Sequence, residues 1–192
     1  MENRDIRQMR SIASEFKTRE DGEEKRIEGY FAVFNSNYEI GEFMSESVAQ
    51  GAFSETLDGD IRALIDHETM YVLGRNKAGT LDLREDEHGL WGSILLNPND
   101  QDAMNLYARV QRGDVNQCSF GFDILAETEV RDGANVHWTI EKVKLYEVSC
   151  CTFPAYAETS IQAREKDYEN VIQRERQKWR SELRTKLRKE QE

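Results

Sequence analysis

The sequence predicts a mainly β protein with one packed helix and a helical tail, and three observations lead there. Apolar and polar residues alternate in short runs set between turn signals, one segment bounded by an N-cap and a glycine carries a helical stripe, and residues 163–192 contain neither glycine nor proline. The first runs, SIASEFKT (residues 11–18) and RIEGYFAVFN (residues 26–35), read as a hairpin joined through REDGEEK, with Asp21-Gly22 supplying the turn. Residues 61–74, IRALIDHETMYVLG, read as one strand, followed by GTLDLRED and GLWGSILLN on either side of an acidic turn. These make successive antiparallel strands. Behind Pro98, Asn99 or Asp100 offers an N-cap, Ala103, Leu106, Tyr107 and Val110 form an apolar face, and Gly113 ends the helix. NQCSFGFDIL and VHWTIEKVKLYEVSCCTF then return to strand patterning around a turn at Asp132-Gly133.

This divides the chain into a body, residues 1–160, and a charged helical tail, residues 161–192. The tail holds ten basic and seven acidic residues, leaving the body 16 basic and 30 acidic. Tyr168, Ile172, Trp179, Leu183 and Leu187 form a sparse apolar stripe along it, which fits either a solvated helix packed on the body or a helix that meets a partner.

Composition narrows the function classes. A net charge of −11 over 192 residues argues against a general nucleic-acid binder, which carries a basic footprint. No apolar run approaches the roughly 20 residues that cross a bilayer, and the charged start MENRDIRQMR lacks a secretory signal, so a soluble, cytoplasmic protein is expected. Three cysteines, two of them adjacent and none in a CxxC pair, indicate neither a disulfide framework nor a zinc site.

Histidine is scarce, so each of the three can be weighed. His88 and His137 read as surface residues. His67 lies between two apolar stretches and, on strand alternation, shares a face with Ile61, Ala63 and Ile65; it is either a satisfied core histidine or a catalytic base with partners. In the run QCSFGF a strand sends Cys118, Phe120 and Phe122 one way and Ser119, Gly121 and Asp123 the other. Cys118 therefore reads as an inert core thiol, and Ser119, beside a glycine, as the accessible nucleophile. A serine needs a base, and His67 is the candidate. Glu147, a carboxylate among apolar neighbours, needs a partner of its own: an arginine such as Arg75 or Arg112, or an imidazole that it orients. Asp66 falls on the opposite face from His67.

Six blocks in this order, GYFAVFN, ESVAQGAF, IRALIDHETMYVLGR, GTLDLREDEHGLWGSILLN, VQRGDVNQCSFGF and LYEVSCCTFPAY, resemble the prohead (capsid maturation) serine proteases of tailed bacteriophages, relatives of the herpesvirus assembly proteases. The resemblance runs from about Gly29 to Thr159 and implies a closed antiparallel β-barrel surrounded by helices. It implies a serine endopeptidase with His67 as base, Ser119 as nucleophile and Glu147 as orienting residue, using no metal or organic cofactor. Its substrates would be scaffold or major capsid protein, and often the enzyme itself, inside the assembling procapsid in the host cytoplasm; dimerisation is expected by analogy. Two departures are visible: Leu96-Asn97-Pro98-Asn99 replaces a Leu-Pro and threonine before the helix, and Ser149-Cys150-Cys151 stands where Ser-Pro-Val is usual. An inactive structural or scaffold relative is the alternative, and the retained Ser119 and His67 speak against it.

Overall fold

The computed structural model describes residues 8–13, 16–153 and 158–189. Strand β1 (Gln8–Ala13) is followed by the hairpin of β2 (Lys17–Asp21) and β3 (Glu24–Val33), then by the hairpin of β4 (Tyr38–Gly41) and β5 (Met44–Val48). Next come β6 (Arg62–Ile65), β7 (Glu68–Arg75), β8 (Leu81–Glu85) and β9 (Gly89–Leu95). Helix α1 (Gln101–Arg112) leads to the long pair β10 (Gln117–Asp132) and β11 (Asn135–Cys151), and α2 (Glu158–Lys189) ends the described chain. None of the described helices is long and apolar enough to cross a membrane.

The closed antiparallel barrel implied by the resemblance does not form. Seven strands make a mixed sheet, ordered β1-β10-β11-β5-β4 with β6 also paired to β11 and β7 paired to β6, and four make a separate antiparallel sheet, β2-β3-β9-β8. The cause is the length of β11. With 17 residues it accepts two hairpins in succession along one edge, β5 at residues 136–140 and β6 at residues 147–150, both in parallel. Each hairpin spends its inner strand on β11, so β4 and β7 are left as edges that pair with nothing further among the described residues. Helices do not surround the sheets; there are two α-helices and one 3-10 turn, Asn76–Ala78, among the described residues.

The sheets enclose one core, to which β3 and β9 contribute Phe31 and Ile94, β10 contributes Phe120 and Phe122, and β11 contributes Leu145 and Val148. Phe120 stacks on Phe122 with centroids 4.7 Å apart and meets Phe53 edge-on at 5.3 Å. Cys118 goes into this core with the two phenylalanines, as strand alternation required, and its thiol donates to the Tyr30 carbonyl at 2.9 Å.

Helix α1 forms where its sequence places it, and of the two N-cap candidates Asp100 is the one used. The Asp100 carboxylate accepts from the Asp102 and Ala103 amides at 3.0 and 3.2 Å, the four expected apolar residues are buried, and Gly113 closes the helix at φ 87°. Asp100→Ala is expected to cost about 1 kcal/mol of stability, read from equilibrium urea unfolding.

Helix α2 is half docked. Arg164 is fully buried, stacked over Trp138 at 4.8 Å, and Val171 and Tyr168 pack with Met44, Val136 and Trp138. Farther along, Trp179, Leu183 and Leu187 are 62%, 41% and 51% exposed.

Candidate active site

His67 sits at the tip of the β6–β7 hairpin. The segment read as a single strand, residues 61–74, is two strands reversed through Asp66 and His67, both with positive φ (47° and 64°). Two consecutive left-handed residues make the tight turn that matches strand twist, a conformation usually given to Asn-Gly. For non-glycine residues it costs roughly 1 kcal/mol each, although Asp and His tolerate it better than most. The tip is stitched to the end of β11: the Asp66 amide donates to the Cys150 carbonyl at 3.0 Å, and Thr152 donates through its amide and hydroxyl to the Asp66 carboxylate at 2.8 and 3.1 Å. Asp66 thus anchors the turn and does not reach the imidazole.

Strand pairing supplies the rest. Ser119 on β10 lies opposite Ser149 on β11, and Gly121 lies opposite Glu147. Directly paired and i, i+2 residues share a face, so Ser119, Ser149 and Glu147 stand on one side of the sheet, away from the Cys118 side. The Glu147 Oε1 atom lies 2.6 Å from His67 Nδ1, and Glu147 Oε2 accepts from the Ser149 hydroxyl at 2.6 Å. Neither arginine considered for Glu147 is its partner, because Arg75 pairs with Asp60 and Arg112 with Asp114. Ser149 also accepts from the His67 amide at 3.2 Å.

Two atoms complete the picture. The Ser119 hydroxyl and His67 Nε2 are both buried without a hydrogen-bond partner among the described residues. Such vacancies are uncommon in folded proteins and call for a reason. An imidazole bound to a carboxylate through Nδ1 carries its proton there and presents Nε2 as an acceptor, the form that can take a hydroxyl proton. Ser119 is 0% exposed, so the open face expected from the adjacent glycine is covered here.

Burial pushes the Cys150 and Cys151 thiols well above their ordinary range, which makes them inert. His137 is bound between the Ser45 and Ser47 hydroxyls at 2.9 Å each, half-buried where a surface residue was expected. Sequence reading missed the contacts of Ser149; its position two residues after Glu147 on a strand was the available signal.

Residues 14–174 match the family described as caudovirus prohead serine protease. The chain belongs to that family. A prohead protease of Enterobacteria phage HK97 is 31% identical over 156 residues, a match covering 78% of this chain and 64% of that relative's length. The solved bacteriophage T4 capsid assembly protease is similar over 76% of this chain and 99% of its own at 12% identity, with a TM-score of 0.44. Within this prohead protease family, the matched region takes in the β6–β7 tip, β10 and β11.

Proposed function

We propose that this chain is a serine endopeptidase of capsid maturation, with Ser119 as nucleophile, His67 as general base and Glu147 as the residue that orients and electrostatically supports the imidazole. One observation carries the reading: the Ser119 hydroxyl is buried without a hydrogen-bond partner among the described residues, and so is Nε2 of a histidine whose other nitrogen is bound to a carboxylate. As the Ser119 Oγ–carbon bond forms on the scissile carbonyl, the hydroxyl proton passes to His67 Nε2 and the carbonyl electron pair moves onto oxygen. Collapse breaks the C–N bond, and His67 returns the proton to the leaving amine. Water then attacks the acyl-enzyme by the same route, with His67 again as base. Ser119 is covered, so under this reading its cover has to shift when a peptide chain binds.

The substrates under this reading are the scaffold or the major capsid protein of the same phage, and the chain itself, inside the assembling shell. The body, residues 1–160, would hold the chemistry, and the tail, residues 161–192, would bring it there. From residue 174 to 189 the helix carries eight basic and two acidic residues beside its exposed Trp179, Leu183 and Leu187. Deleting residues 176–192 is expected to leave activity of the purified enzyme within about twofold, since the docked turns of α2 remain, and to abolish its entry into procapsids on co-expression. A truncated enzyme recovered in procapsids at the wild-type level contradicts the tail's role.

The burial of Ser119 favours the second reading, an inactive structural or scaffold relative. Co-expression with the cognate capsid protein separates the two. Wild type and Cys118→Ala are expected to process it and Ser119→Ala is not; an intact mass of the purified chain reads self-cleavage. Unprocessed capsid protein with folded wild type supports the inactive relative, and processing lost only in Cys118→Ala overturns the serine assignment.

A further inference from the structure

Resting on the serine protease reading above, we propose that Ser149 is a positioning residue that fixes both the carboxylate and the main chain of the His67–Glu147 pair with one hydroxyl. A hydroxyl has one proton to give and two lone pairs to offer. Ser149 gives its proton to Glu147 Oε2 at 2.6 Å and accepts from the His67 amide at 3.2 Å, while Glu147 Oε1 holds His67 Nδ1 at 2.6 Å. The contacts close a ring that runs from the histidine backbone through Ser149 and Glu147 to the histidine's own imidazole.

The ring answers two local difficulties. His67 occupies a left-handed conformation at φ 64° on a two-residue tip, where little but neighbouring contacts sets the direction of its side chain. Glu147 has a long side chain whose second oxygen, without Ser149, would be free to turn the carboxylate away from the ring nitrogen. Ser149 is 0% exposed, so water does not readily replace the hydroxyl. Its strand position does the placing, since it shares a face with Glu147 two residues before it and stands opposite Ser119 across the β10–β11 pair. With its proton committed to a carboxylate, Ser149 is no rival nucleophile; Ser119 is the hydroxyl left with its proton available.

The test uses the full chain and a fluorophosphonate probe, which reports the nucleophile's attack without a known substrate. Ser149→Ala is expected to label roughly 10- to 100-fold more slowly than wild type, by analogy with the loss of outer hydrogen-bond partners behind metal-bound histidines. Ser149→Thr, which keeps the hydroxyl, is expected to recover most of the rate. A second readout separates positioning from general loosening: the far-downfield proton resonance of the His67 Nδ1–H on Glu147 is expected to move upfield in Ser149→Ala, to persist in Ser149→Thr and to vanish in Glu147→Gln. Wild-type labelling by Ser149→Ala, or slow labelling with an unmoved resonance, overturns the proposal while leaving Ser119 in place. Undiminished labelling of Ser119→Ala overturns the underlying protease reading, and the role of Ser149 with it.

Discussion

Replacing Ser119 with alanine is expected to lower the rate of peptide cleavage about 10⁴-fold or more, leaving only what binding and polarisation of the scissile carbonyl supply. The same substitution is expected to leave stability unchanged or slightly raised. The Ser119 hydroxyl is fully buried and finds no hydrogen-bond partner among the described residues, so its removal breaks no bond and relieves a desolvated polar group. This pairing of effects is diagnostic. A serine kept for architecture would show the reverse pattern, with stability lost and activity following in proportion. Activity of the purified variant beside its thermal unfolding midpoint distinguishes the two.

Glu46→Ala is expected to destabilise the fold by about 3–5 kcal/mol, the largest loss of stability among the changes considered. Glu46 on β5 is 0% exposed and receives Arg10 of β1 through Nε and through Nη2, the latter at 2.9 Å. It also receives Arg164 of α2 through Nε and Nη2 at 3.1 and 3.0 Å. One carboxylate therefore joins the N-terminal strand, the central sheet and the tail helix in a space closed to water. Arg164 keeps contacts with Glu127 and Asp167, at 2.9 and 3.6 Å, but without Glu46 the two guanidinium groups lose the buried carboxylate they share. Guanidinium chloride unfolding of wild type, Glu46→Ala and Glu46→Gln measures the loss, and Gln is expected to recover little because it restores shape without charge. A loss under 1 kcal/mol contradicts the role of this cluster.

Local patterns in the sequence were legible where local chemistry decides the outcome. Helix α1 was readable to within one residue, its cap open between Asn99 and Asp100, because cap, stripe and terminator all lie within 14 positions. The β10–β11 hairpin announced itself through Asp132-Gly133, with Gly133 at φ 60°, and the two faces of QCSFGF followed from strand alternation. The identity of the Glu147 partner was open between arginine and imidazole, and only the fold could choose.

What stayed hidden depends on contacts distant in sequence or on residues in unusual conformations. The Asp66-His67 tip lacks the glycine that marks such turns, so two strands read as one and His67 seemed to lie within a strand. Sheet closure turned on how β11 divides its edge between two hairpins, which no local pattern records. Strand β1 pairs with β10 in the larger sheet, whereas the sequence placed its residues 11–13 in the first hairpin with β3. Arg164 belongs to a tail whose composition reads as solvated, yet it is buried because Glu46 and Trp138 await it.

The most direct measurement is the site of covalent labelling by a fluorophosphonate, located by peptide mass mapping on wild type, Ser119→Ala and His67→Ala. One adduct is expected, on Ser119, absent from Ser119→Ala and strongly slowed in His67→Ala. An adduct on Cys118 or Ser149, or labelling that persists in Ser119→Ala, would contradict that assignment.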